Sequence, residues 1–155
     1  MFNKYTFLFL LLFSSVSIFG GVPIEIHVKN LSAGTDLDKI SACNYLGKEN
    51  KEKKYISDIQ EALKNADNAR VAVACANALG YIQEKGTATT ALKNKIMSET
   101  NSDVVYACLI SIINIAIKNG YEPDARAALQ YSDVHHRGDE FIADLIDKIK
   151  IKIKD

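Results

Sequence analysis

Residues 67–80 read DNARVAVACANALG and carry the strongest indication of the fold in the chain. The last ten residues of this stretch carry no charge, so their small and apolar side chains predict a helix that is buried on most sides. The Ala-Cys pair at 74–75 recurs at 42–43 and again at 107–108, and Ala-Asp at 143–144 makes a weaker fourth copy. A period of roughly 33 residues is typical of stacked helical pairs, which bury their apolar faces against one another.

The helical spacing of the apolar residues predicts seven helices in one domain of residues 35–155. Thr35 and Asp38 form a T-x-x-D capping pattern at the start of the first helix, and Ser102 is expected to cap the fifth. A leading helix is followed by three pairs, and in each pair a moderately polar helix precedes a more apolar one. The helices are expected at about 35–46, 51–64, 69–83, 89–99, 103–118, 123–131 and from 139 to the C-terminus.

The first twenty residues match a secretory signal peptide. A basic start with Lys4 is followed by the uncharged apolar stretch 5–13 and then by a segment rich in small residues. Cleavage is expected after Gly20 or, as the second choice, after Ser17. The alternative is an uncleaved membrane anchor, but the apolar run is shorter than the roughly 20 residues that span a bilayer. We therefore expect a periplasmic or secreted protein, attached to a membrane only if the leader is retained.

Residues 21–34 are predicted to form an extended N-terminal arm. Ile24, Ile26 and Val28 alternate with Glu25 and His27, and such an alternation of β-branched and polar residues favours extended backbone. A single strand without a partner cannot form a sheet, so the arm is expected to pack loosely on the first helix.

Three cysteines in an exported chain raise the question of a disulfide. Cys43, Cys75 and Cys108 are taken to occupy equivalent positions on successive helical units, which stack at about 9–10 Å. A disulfide requires Cα atoms closer than about 7 Å. The spacing therefore predicts three free cysteines that serve as small buried hydrophobic residues. A zinc site is disfavoured as well, because these separations would scatter the three thiols.

Charge and composition argue against several classes of function. The chain has 19 basic and 19 acidic residues, whereas a general nucleic-acid binder carries a basic excess. It contains no glycine-rich phosphate loop, no HExxH and no GxSxG motif, and buried cysteines do not supply an activated thiolate. We therefore expect no catalytic residues, no cofactor and no nucleic-acid partner. The abundance of Lys, Asn and Ile suggests a bacterial source with an AT-rich genome.

Two adjacent histidines, His135 and His136, lie between Asp133 and Asp139, and such side chains can bind a divalent metal. Adjacent histidines rarely aim both rings at one ion, however, and His27 is the only other histidine in the chain. Because a metal site needs about four ligands, a polar loop between helices is preferred and no metal is expected.

The small-residue helices resemble those of HEAT-like repeats. The match is strongest at 67–80, where an Asp-Asn turn, a valine and a run of small residues end in Ala-Leu-Gly. Residues 103–112 (DVVYACLISI) and 36–47 (DLDKISACNYLG) repeat parts of the pattern, so the resemblance covers about 35–155. It implies an all-α fold, a short right-handed α-solenoid, in which the second helix of each pair lines the concave side. Proteins of this family mostly bind other proteins there.

Candidate partner-binding residues lie on the two most apolar helices, on the side that faces away from the expected core. Either short neighbouring helices cover these positions, or the positions form a binding patch centred on Tyr106 and Ile110. They are Val73, Asn77, Tyr106, Ile110 and Asn114.

The function predicted from the sequence is that of a non-enzymatic protein-protein interaction scaffold or adaptor of the bacterial cell envelope. Its protein partner is not identified by the residues. The alternative is a lyase-type or other accessory enzyme, since HEAT-like repeats also occur in phycobilin lyases, although no residue here matches a pigment-attachment site.

Overall fold

The computed structural model describes residues 22–153, so the predicted leader (1–20) lies outside the described residues. Within them the chain forms eight α-helices and no β-strand, which confirms the all-α prediction. The helices are α1 (Ile24–Ala33), α2 (Asp36–Asn44), α3 (Ile56–Lys64), α4 (Ala69–Ile82), α5 (Thr87–Ser98), α6 (Ser102–Asn119), α7 (Pro123–His135) and α8 (Glu140–Ile153). A π-helical turn (Tyr45–Asn50) follows α2, and a 3-10 turn (Lys53–Tyr55) precedes α3. The seven predicted helices correspond to α2–α8, with boundaries that differ by a few residues.

Two rows of helices make up the fold. Helices α2, α4, α6 and α8 contact one another in that order, and α1, α3, α5 and α7 form the second row in the same way. The most extensive contact is between α4 and α6, which bury nine residues each. The hydrophobic core is therefore centred on these two helices, as their low content of charged residues predicts.

The helices of the first row begin with matched N-caps. The predicted capping box at Thr35 is present at the start of α2 and is confirmed. Asn68 accepts a backbone N–H of the first turn of α4 at 2.9 Å, and Asp139 does the same for α8 at 3.0 Å. Asn101 caps α6 through two backbone N–H groups. The prediction of Ser102 as this cap was wrong by one residue, because the Asn101 carboxamide already occupies the capping position.

Replacing Asn68 by alanine should destabilise the protein although the residue lies in a turn. Asn68 caps α4, and its amide also donates to Asp36 of α2 at 2.7 Å. We expect the free energy of unfolding in urea to fall by about 1 kcal/mol, the usual cost of removing such a cap. The control is Lys53→Ala, which breaks an exposed ion pair with Glu84 and should change stability by less than about 0.5 kcal/mol. Equal stability of the two variants would contradict this role of the cap.

The prediction of an extended arm at 21–34 was wrong, because most of it forms α1. The alternation on which it rested spans only five residues. Ile24, His27, Val28 and Leu31 also fit the i, i+3, i+4, i+7 spacing of a helix. In the structure His27 and Leu31 are buried, and α1 contacts α2 and α3. Burial of this apolar stripe against two helices therefore outweighs the weak local preference for extended backbone.

The prediction of three free cysteines was also wrong. Cys43 of α2 and Cys75 of α4 form a disulfide, with their Cα atoms 5.0 Å apart. Cys108 is free and buried, as predicted. The disulfide links the first two helices of the first row, whereas α6 is joined to α4 by packing and by hydrogen bonds at the end of α4.

The position of each cysteine relative to the N-cap of its helix explains why Cys43 and Cys75 can form a disulfide. Cys43 is the eighth residue after its cap, whereas Cys75 and Cys108 are each the seventh after theirs. One residue turns an α-helix by about 100°, so Cys43 is not equivalent to the other two cysteines. The helices also approach more closely than the sequence argument assumes, since a Cβ placed on Gly47 would lie 2.5 Å from the Cβ of Ala78.

Among the described helices, α6 is the one whose length and composition would allow it to cross a membrane. Half of its residues are buried within the fold, and α4, α5, α7 and α8 all contact it. A central core helix meets the same criteria as a membrane span, so α6 gives no membrane assignment.

Candidate functional site

A groove of about 640 Å³ crosses the first row of helices. Its floor is made of small and aliphatic side chains, and polar side chains lie along its rim. The contributing residues come from α2, α4 and α6. They are Ile40, Asn44, Ala69, Arg70, Val73, Ala74, Asn77, Asp103, Tyr106, Ala107 and Ile110.

The structure brings together four of the five candidate partner-binding residues. Val73, Asn77, Tyr106 and Ile110 all line the groove; Tyr106 is 39% exposed and the other three are half-buried. Asn114 does not line it. This residue lies one turn further along α6, where its main-chain carbonyl accepts a hydrogen bond from a side chain at the end of α4.

The N-caps set the positions that face the groove. The second, fifth, sixth and ninth residues after the cap line the groove on both α4 and α6, so Ala74 and Ala107 occupy matched places on the floor, and α4 adds Ala69. The contribution of α2, through Ile40 and Asn44, was missed in the sequence analysis. The signal for it was available, since Ile40 and Asn44 are the fifth and ninth residues after the cap Thr35.

Opposite charges stand at one end of the groove. Arg70 of α4 and Asp103 of α6 are both exposed, and neither forms an ion pair within residues 22–150, whose side chains the structure describes. The side chains of Asn44 and Asn77 make no hydrogen bonds among the same residues, so the rim offers free donors and acceptors around an apolar floor. This chemistry suits the binding of a protein surface.

Helix α8 contacts α6 and follows it in the first row. The pKa of Asp139 is lowered chiefly by a hydrogen bond from the Ser102 hydroxyl at the start of α6. The pKa of Lys148 is raised mainly by its ion pair with Asp144 and, to a smaller extent, by Tyr106 of α6.

The thiol of Cys108 is unreactive at neutral pH. Burial raises its pKa to about 12, so the sulfur stays protonated at neutral pH and is a poor nucleophile. Cys43 and Cys75 are fully buried and joined in the disulfide.

The polar loop predicted around His135 and His136 is partly helical, because α7 continues to His135, and its side chains have structural partners. His135 stacks on Tyr131 with a centroid distance of 4.2 Å, and His136 Nε2 lies 3.2 Å from the main-chain oxygen of Ile96. Asp133 forms ion pairs with Arg137 and with a lysine of α8. Among the described residues no group of three or more His, Cys, Asp or Glu side chains is placed to hold a metal ion.

A second groove of the same volume lies between α3 and α5 in the other row. Hydroxyl, amide and charged side chains dominate its lining. The lining residues are Ser57, Gln60, Glu61, Leu63, Lys64, Thr87, Thr90, Ala91, Asn94, Lys95 and Ser98. Because the two grooves are equal in size, the first is preferred as a protein-binding site for its exposed tyrosine.

Comparison of the chain with protein-family models finds no match, and no significant match is found among curated proteins or solved structures.

Proposed function

We propose that this protein is a non-enzymatic interaction scaffold of the bacterial cell envelope, which binds a protein partner in the groove across α2, α4 and α6. The observation that carries the proposal is the groove itself. Tyr106 projects beside a floor of alanines, and an exposed aromatic residue next to a small-residue floor is typical of an interface anchor.

We further propose that the two rows of helices are a short right-handed solenoid of HEAT-like pairs. The sequential contacts within each row support this arrangement. So do the matched caps Thr35, Asn68 and Asn101, which stand at equal intervals along the chain. A stack of this kind exposes an extended surface that suits protein binding.

Export of the chain is supported by two independent features. The first twenty residues have the order of a signal peptide, and the Cys43–Cys75 disulfide is of a kind that persists in oxidising compartments such as the periplasm. Mass analysis of the protein isolated from its host should give a chain that begins at residue 21 or 18. A chain that still begins at Met1 in a membrane fraction would instead indicate a retained anchor.

The groove is tested by two substitutions, Tyr106→Ala and Ile110→Asp. Either one should strongly reduce capture of partner proteins from the envelope fraction of the native host. The first removes the exposed anchor, and the second places an unpaired charge on an apolar wall. Met97→Ala is the matched control, because Met97 is 50% exposed on α5, in the other row. Circular dichroism must show that all three variants remain folded. Unchanged capture by both groove variants would refute the proposal.

A further inference from the structure

We infer that the occupant of the groove is a second copy of this chain, and that the protein pairs with itself through the row α2, α4, α6, α8. The inference rests on the proposed function, because it takes the groove as a protein-binding surface and names what binds there. It is carried by the order of charged and apolar side chains across this face, which complements the same face of a copy related by a twofold axis.

Four residues occupy the same place on the four helices, the second position after each N-cap. Leu37 stands there on α2, Arg70 on α4, Asp103 on α6 and Phe141 on α8. All four are exposed. Matched positions of α4 and α6 line one groove, so these helices run in the same direction. The order across the row is therefore apolar, positive, negative, apolar.

A twofold axis between α4 and α6, parallel to both, reverses this order in the facing copy. Arg70 of each copy then faces Asp103 of the other, so that both unpaired charges gain partners, and residue i meets j as j meets i. At the two outer positions Leu37 faces Phe141. These side chains are 71% and 79% exposed, and pairing would remove both from water.

The next turn of α4 and α6 fits the same axis, whereas at that turn of the outer helices Ile40 of α2 faces Asp144 of α8. Val73 of α4 and Tyr106 of α6 are each the fifth residue after their caps, so each valine meets the tyrosine of the other copy. The floor residues Ala74 and Ala107 are the sixth, and their small side chains leave room for close approach of the helices. With one positive and one negative charge at its end, the groove has no net charge that would favour a strongly acidic or basic partner.

The test is a charge swap followed by analytical ultracentrifugation of the full chain, expressed with its own leader over a range of concentrations. The wild type should sediment as a dimer that dissociates on dilution. Arg70→Asp and Asp103→Arg should each raise the dissociation constant by about tenfold or more, because like charges then face each other twice. The double swap Arg70→Asp/Asp103→Arg should restore dimerisation. Lys85→Asp, at an exposed loop position, should leave it unchanged.

A second pair of variants tests the outer contact independently of charge. Phe141→Ala should weaken the dimer, whereas Val134→Ala should not, since Val134 is equally apolar and 71% exposed but lies on α7 in the other row. The inference is overturned if the chain is a monomer at all concentrations, or if the charge swaps leave the dissociation constant of the dimer unchanged. If the chain is monomeric while Tyr106→Ala still abolishes capture of a partner, this inference fails and the proposed function stands.

Discussion

Removing the disulfide with Cys43→Ala/Cys75→Ala is expected to lower the free energy of unfolding by about 3–4 kcal/mol. The bond joins residues 32 apart, and a crosslink that closes a loop of this length stabilises a protein by about this amount, chiefly by restricting the unfolded chain. The measurement is urea denaturation of the wild type with and without a dithiol reductant, alongside the double variant. The reduced wild type and the variant should then have similar stabilities.

Cys108→Ala is the matched control for the disulfide. Its thiol is buried and free, so this variant should lose only about 1 kcal/mol and should remain as sensitive to reductant as the wild type. A thiol count gives a second check, since the unfolded, unreduced wild type should expose one reactive thiol. A count of three, or equal stability of the oxidised and reduced protein, would contradict the pairing.

Adding one methyl group at Gly47 or Gly80 is expected to destabilise the protein by about 1–3 kcal/mol. In an open helix the change from glycine to alanine stabilises by up to about 1 kcal/mol, so here the sign is reversed. The reason is contact between helices. A Cβ on Gly47 would lie 2.3 Å from the Cα of Ala78, and a Cβ on Gly80 would lie 2.8 Å from the Cα of Ser111. Both contacts involve backbone, which cannot move aside as a flexible side chain does.

Gly138→Ala separates this effect from a general intolerance of substitution at glycine. A Cβ at Gly138 meets nothing within 4 Å, so its stability should be close to that of the wild type. A double variant, Gly80→Ala/Ser111→Gly, removes two of the three crowded atoms and should recover part of the loss. Thermal and urea unfolding both report these differences. Stabilisation by Gly80→Ala would show that the helices do not pack closely at this point.

The helices of this protein follow from local features of the sequence. The uncharged stretch 71–80 and the capping box at Thr35 each act over a few residues, and the structure contains α4 and the start of α2 where these signals predict them. The exception is α1, where the five-residue alternation at 24–28 is too short to distinguish a helix from a strand. Contacts of α1 with α2 and α3 decide its conformation.

Helical periodicity predicted which candidate residues share one face of a helix, but not how far the groove extends. Val73 and Asn77 share one face of α4, and Tyr106 and Ile110 share the matched face of α6, so the spacing alone places them together. Asn114 follows the same spacing, but it lies beyond the groove. Its side chain is one turn too far along α6, and the length of a groove depends on how the neighbouring helices are set beside one another.

The all-helical fold, the start and end of most helices and the apolar faces of α4 and α6 follow from the amino-acid sequence. These depend on hydrogen bonds, caps and periodicities that operate within one helix. Only the packing of the helices shows that Cys43 pairs with Cys75 and that Arg70 and Asp103 line one groove. Each of these depends on the rotation and separation of two helices. A shift of a single residue between N-cap and cysteine turns a side chain by about 100°, and a glycine at the crossing brings two backbones closer than an average helix spacing allows.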